Sequence, residues 1–165
     1  HYPLRRQRQM CIRDRYIHKN GDMNMTELIN GKDASTMGCC GIYALAELSG
    51  RSLQSVFDWY KKTYNRPANW QGSAYEPHIF GAALKHFGLK KKKINYDRRM
   101  TVRRFVDECT VKGRSYLLMT GSHFLVIKGG RDEAICIDQV ERCAVDDYYG
   151  KNKKIRRAVQ IGGRR

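Results

Sequence analysis

Gly38-Cys39-Cys40-Gly41-Ile42-Tyr43-Ala44-Leu45-Ala46-Glu47-Leu48-Ser49-Gly50 is the stretch on which the fold turns. Ile42, Leu45 and Leu48, with Ala44 and Ala46 beside them, make one apolar face at helical spacing, and Gly50 suits the left-handed position just past a helix end. A helix from about Cys40 to Ser49 is predicted, with two cysteines at its head. A helix N-terminus carries the positive end of the dipole, a setting that favours thiolate, the nucleophilic form of cysteine. Gly41 is expected to leave space beside the Cys40 sulfur. The N–H groups of a first helical turn have no intrahelical acceptor and can face a developing oxyanion. Cys39 falls one residue outside the helix and points elsewhere, so Cys40 is the candidate nucleophile.

Working outward, Ser52 can cap a second helix in which Leu53, Val56, Phe57 and Tyr60 recur at i, i+3, i+4 and i+7. Residues 66–72 read as a loop. Pro77 suits the first turn of a third helix, 77–87, with Ile79, Phe80, Ala83, Leu84 and Phe87 inward and Gly88 ending it. The run Lys90–Lys93 reads as a solvated turn or an edge strand, where lysines discourage further pairing. Thr101 can cap a short helix through Cys109, with Val102, Phe105 and Val106 inward. Beyond Gly113 the period changes. Residues 116–119, 124–127 and 134–137 are short β-prone runs separated by Gly-Ser and Gly-Gly-Arg-Asp turns, the pattern of an antiparallel meander, and 155–161 adds a last strand. Helices in the first half and strands in the second indicate an α+β fold, with N-terminal helices packed on a C-terminal antiparallel β-sheet.

That layout places Cys40 on the helical half and a candidate partner on the sheet half. His123 opens the apolar run Phe124-Leu125-Val126-Ile127, and Asp138 closes Ile135-Cys136-Ile137. The fourteen residues between them suit a hairpin, which sets His123 and Asp138 side by side on neighbouring strands. In those positions His123 serves as general base and holds an imidazolium beside the thiolate. Asp138 accepts a hydrogen bond from the far ring nitrogen and fixes its tautomer. His78, in the first turn of a helix, and His86, on the solvated Lys85 side, suit that role less well, and His18 lies far upstream.

Composition bounds the alternatives. The chain has 165 residues, enough for one domain with a core, and a formal net charge of +16. Residues 1–22 hold six Lys/Arg against two acids, and residues 150–165 hold seven against none, so most of the excess sits at the two ends. Basic ends can hold phosphate without sequence preference, which makes non-specific nucleic-acid contact one function class. No apolar run approaches the ~18 residues of a membrane span, and no signal peptide is apparent, so a cytoplasmic protein with no membrane partner is expected. The six cysteines form no C-x-x-C pair and read as reduced thiols, with no metal site and no cofactor. Residues 1–22 read as a disordered basic segment or a gene-model artefact with the natural start at Met23 or Met25. The domain then covers 23–161, and 162–165 form a basic tail. Oligomeric state is not legible.

Cys40-Gly41-Ile42-Tyr43-Ala44-Leu45, His123-Phe124-Leu125-Val126-Ile127 and Ile137-Asp138 resemble the motifs of papain-like cysteine peptidases. The likeness is to the peptidase C39-like branch and to small papain-like proteins of bacteriophages, and it covers about residues 35–140. The resemblance implies a papain-like fold and a cysteine peptidase acting on a peptide or related acyl bond, with Cys40 as nucleophile, His123 as base and Asp138 as orienting residue. For a phage-encoded protein it implies the cytoplasm of a bacterial host. The family usually carries a glutamine shortly before the cysteine as an oxyanion donor. Ala34 stands there, followed by Ser35 and Thr36, so Ser35, Thr36 or Gln71 must substitute beside the Gly41 region of the helix. Losing one such donor typically costs ~10²–10³ in rate. Asp138-Gln139 also replaces the Asp-Pro usual in the family. The departure frames a second expectation, a catalytically weak or inactive papain-like module that binds a host protein.

Overall fold

The computed structural model describes residues 28–162. The basic N-terminal segment expected at 1–22, with Cys11 and His18, and the final three residues of the expected tail lie outside that range.

A two-stranded hairpin leads in: β1 (Leu28–Ile29) pairs with β2 (Lys32–Asp33) through Asn30 and Gly31, both at positive φ. Asp33 then caps a 3-10 turn, Ala34–Thr36, its Oδ1 accepting from Ser35 N at 2.8 Å. Helix α1 (Cys40–Ser49) ends at Gly50, whose φ of 66° is the left-handed cap its sequence called for. Helix α2 (Leu53–Thr63) is capped by Ser52 and buries Leu53, Val56, Phe57 and Tyr60, as the spacing predicts. Burying a side chain the size of Phe57 or Tyr60 contributes about 1.5–3 kcal/mol each.

The third helix, α3, runs over 76–86 and is not regular. Between the turns Glu76–His78 and Leu84–His86 it widens to a π-helix at Ile79–Ala83, where Ile79, Phe80 and Ala83 are all buried. Periodicity anticipates the helix but not the wide turn. Strand β3 (Lys90–Lys93) follows with all four lysines exposed, an edge strand. Helix α4 (Val102–Cys109) is capped by the Thr101 hydroxyl, as expected.

The remaining strands are β4 (Ser115–Thr120), β5 (His123–Lys128), β6 (Ile135–Ile137), β7 (Arg142–Ala144) and β8 (Arg157–Gly162). They form one antiparallel sheet in the order β3-β8-β4-β5-β6-β7. The expected meander is β4-β5-β6. Two features differ from it. Strand β7 extends the meander, although its exposed Arg142 and Ala144 give no strand pattern. Strand β8 does not end the meander but slots between β3 and β4, because Val159 and Ile161 bury on one face and Ala158 on the other. Gly162, expected to open the tail, is the last residue of that strand.

The fold is therefore α+β, with α1, α2 and α3 over one face of the sheet and α4 over the other. Leu117, Met119, Phe124, Val126, Ile137, Val159 and Ile161 join the core under α1–α3, while Tyr116, Leu118, Leu125, Ile127, Cys136 and Ala158 join the core under α4. Glu47 fixes α1 to the sheet. Its carboxylate pairs with Lys128 of β5 at 2.5 Å and Arg142 of β7 at 2.8 Å. Burial alone would raise the Glu47 pKa, but the two cations outweigh it and hold it below the usual range. Among the described residues no helix is long and apolar enough to cross a membrane.

Candidate active site

The two cysteines at the head of α1 part company. Cys39 is the N-cap, fully buried, and donates its thiol to Ala34 O at 3.4 Å. Gly72, at a φ of 90°, lies so close that a Cβ there would sit 2.5 Å from the Cys39 Cβ, so the 66–72 loop packs on that side chain. Cys40 turns the other way, half-buried, with Sγ 4.0 Å from Ser122 O at the β4–β5 turn. Gly41 is also a point of close packing. A Cβ there would stand 3.1 Å from Ile79 Cγ1 and 3.2 Å from Ala74 Cβ. The space beside Gly41 is taken by the start of α3, which presses on the first turn of α1.

His123 begins β5 opposite Thr120, the last residue of β4. Its Nε2 lies 2.8 Å from Asp138 Oδ2, and Cys40 is the other side chain whose interaction acts on the ring. With Nε2 held by the carboxylate, Nδ1 is the nitrogen left for a second partner. Burial opposes charge on the ring. The interactions with Asp138 and Cys40 outweigh it and raise His123 from its ordinary 6.5 to about 9. The imidazolium is thus kept at neutral pH.

Asp138 is 3% exposed, and an isolated buried carboxylate would be costly. Five donors surround it. Its Oδ1 accepts from Val140 N at 2.8 Å and Glu141 N at 2.9 Å, in the tight turn joining β6 to β7. Its Oδ2 accepts from the His123 ring, from Tyr148 OH at 3.1 Å and from Tyr149 OH at 3.2 Å. Burial pushes the carboxyl up, but the His123 bond and the two backbone N–H bonds carry it below the usual range. Asp138 stays ionised and fixes both the orientation and the protonation of the ring.

Tyr148 and Tyr149 are the residues that sequence reasoning missed. They arrive on the loop after β7, which is fastened to the start of α4 by Val102 N donating to Lys153 O at 3.1 Å and Arg103 N to Lys151 O at 2.9 Å. An Arg103–Asp146 ion pair adds to the fastening. Tyr148 is buried in the α4-side core. Tyr149 is half-exposed, with its hydroxyl 3.4 Å from His123 Nε2 and Lys153 4.7 Å above its ring. Burial and the Asp138 charge raise the Tyr149 phenol to about 12, so it remains a donor. The only signal was the aromatic pair itself, set in the polar run Asp146-Asp147-Tyr148-Tyr149-Gly150.

Two of the three candidate side-chain donors make local hydrogen bonds. Thr36 donates its hydroxyl to Asp33 O at 2.8 Å, within its own turn, and Ser35 is exposed on that turn. Gln71 is exposed and donates from Nε2 to Asn69 O at 2.9 Å, also locally. Each is bound into or displayed on its own loop, so the donors that remain at Cys40 are the N–H groups of the first turn of α1. Gln139, which stands where the resemblance expects proline, donates to Met37 O at 2.6 Å. It ties the segment before Cys40 to the turn that holds Asp138. Of the other described histidines, His78 Nδ1 is 2.9 Å from Tyr60 OH and His86 stacks on Trp59.

Among the described residues no group of three or more His, Cys, Asp or Glu side chains is arranged to hold a metal ion. The chain matches no protein-family model, no curated protein and no solved structure.

Proposed function

We propose that this protein is a cysteine hydrolase of papain-like type, cleaving a peptide or related acyl bond. The observation that carries the proposal is the imidazole of His123 hydrogen-bonded to a buried, ionised Asp138, one residue after Ser122, whose carbonyl the Cys40 thiol meets. The α+β layout supports the papain-like reading, with the nucleophile heading a helix and the base opening a strand of an antiparallel sheet.

Cys40 Sγ attacks the substrate carbonyl, forming a C–S bond and placing the negative charge on oxygen. The N–H groups of the first turn of α1 stabilise that oxyanion. His123 then gives its Nδ1 proton to the leaving amine as the C–N bond breaks, which leaves a thioester. Water attacks the thioester and passes a proton to His123. The carboxylic acid departs, and the thiolate–imidazolium pair returns.

Active-site titration with activated peptidyl esters tests this. The expected result is a burst of leaving group equal to the protein concentration, absent in Cys40→Ala. No burst in the reduced wild-type chain sinks the proposal. It would favour the second reading, a binding module, which rests on Ala34 standing where a side-chain oxyanion donor is expected.

A further inference from the structure

At the end of the edge strand β3 lies a cavity of about 610 Å³, lined by Lys91, Lys93, Asn95, Tyr96, Arg98 and Arg157 among others and by no carboxylate. Two of its four cations are engaged. Lys91 Nζ donates to Phe80 O at 2.8 Å, and Arg157 pairs with Glu76 at 3.1 Å. Lys93 and Arg98 are exposed and have no acceptor among the described residues. Two free cations in one concave wall form a site for an anionic group.

The cavity lies at the His123 end of the sheet. Arg157 pairs with Met119, and Met119 with Phe124, the residue after His123. Two strand spacings separate Arg157 from Phe124, about 10 Å. The wall between them is continuous. Arg157 lies over the Phe80 ring at 4.3 Å, Phe80 contacts Phe124, and the start of α3 that carries Glu76 packs on Gly41 beside the nucleophile. Among the described residues β3 is an edge of the sheet, and its outward N–H and C=O groups can pair with an extended chain. The four exposed lysines there favour a chain of opposite charge.

We propose that this cavity is a substrate subsite for acidic side chains: the Cys40 centre acts on polypeptides that carry aspartate or glutamate at least about three residues from the bond cleaved, the ~10 Å from Arg157 to Phe124 taken at ~3.3 Å per extended residue. Lys93 and Arg98 hold the carboxylate. The backbone edge of β3 is what favours a polypeptide over a nucleic acid, which has no ladder of peptide groups to offer. The assignment rests on the hydrolase reading above for the word substrate, but the site itself can be measured without turnover.

The test uses the full chain carrying Cys40→Ala and two labelled peptides of equal length, one with a block of glutamates and one with glutamines in their place. Fluorescence anisotropy should show the glutamate peptide bound about tenfold or more tightly, with a preference that falls as salt rises. Lys93→Glu with Arg98→Glu should abolish the preference. Lys62→Glu with Lys85→Glu, the same charge change at exposed positions elsewhere, should leave it. Equal losses in the two double variants would mean attraction to net charge alone and would overturn the subsite. So would an oligonucleotide of matched charge that binds more tightly than the peptide and is released by the Lys93/Arg98 reversal. In chains that keep Cys40, the rate of its alkylation by a small neutral electrophile should be the same with and without that reversal. Fast alkylation kept while glutamate preference is absent overturns the subsite alone. Glutamate preference kept with no enhanced Cys40 reactivity overturns the hydrolase reading, and the substrate assignment with it.

Discussion

Cys39 and Cys40 stand together at the head of α1, whereas Cys136 and Cys143 face each other across β6 and β7. The second pair lies beside carboxylates. Burial, then Glu141 with Asp147 and Asp138, pushes Cys143 up to about 12, and burial with its neighbour Cys143, Glu141 and Asp138 raises Cys136 further. Both remain thiols at neutral pH. Cys40 is half-exposed and faces an imidazole held in its charged form. Cys39, one residue away, is sealed under the 66–72 loop. The difference teaches that cysteines of one chain diverge in access and in the sign of the neighbouring charge, the two properties on which the proposal of Cys40 as nucleophile rests.

The largest expected effect on that contrast comes from removing the nucleophile. In the reduced chain a peptidyl electrophile should label Cys40 first, and Cys40→Ala should lose that adduct while Cys136 and Cys143 stay unlabelled, read by intact mass and peptide mapping. Comparable labelling at Cys143 would break the comparison. Next, His123→Ala should slow acylation by about 10²–10⁴, the range of general acid–base help. For amide substrates the wild-type rate should also fall as pH rises through about 9, because the protonated ring is needed to release the amine.

Asp138→Ala should cost about 3–5 kcal/mol of stability, measured by urea unfolding, since it strips a buried charge pair and strands the donors around it. Asp138→Asn keeps the shape and should instead slow acylation by disturbing the ring tautomer. Smaller again, Tyr149→Phe removes a single hydroxyl from Asp138 and should lower acylation several-fold with about 1 kcal/mol of stability. No change in rate would make Tyr149 a bystander. The smallest effect is thermodynamic. The folded His123 pKa lies above its ordinary 6.5, so its pairing stabilises the fold fully below about 6.5 and less as pH rises through about 9. The stability gap between wild type and Cys40→Ala should narrow over that window.

Most of the helical half was legible because its residues follow one period and carry their own stop signals, as Ser52, Thr101 and Gly50 do. The closeness of Cys40, His123 and Asp138 was anticipated from a hairpin and a helix head, which are local geometry. What stayed hidden depends on contacts distant in sequence. The π turn of α3 lies where Ile79 packs close to Gly41 of α1, and β8 finds its place between β3 and β4 through the core it fills. Tyr148 and Tyr149 reach Asp138 because α4 anchors their loop, and no spacing rule records that. Gly41 has a second use that its place beside Cys40 does not announce, the close approach of Ile79 and Ala74.

The central claim is that His123 bridges the Cys40 sulfur and the Asp138 carboxylate as a charged ring. Titrating His123 by NMR in the reduced wild type and in Cys40→Ala tests it most directly. A midpoint near 9 in the wild type is predicted, moving toward 6.5 once the sulfur is gone and unmoved by Cys143→Ala. A midpoint at 6.5 in the wild type, indifferent to Cys40, would contradict it.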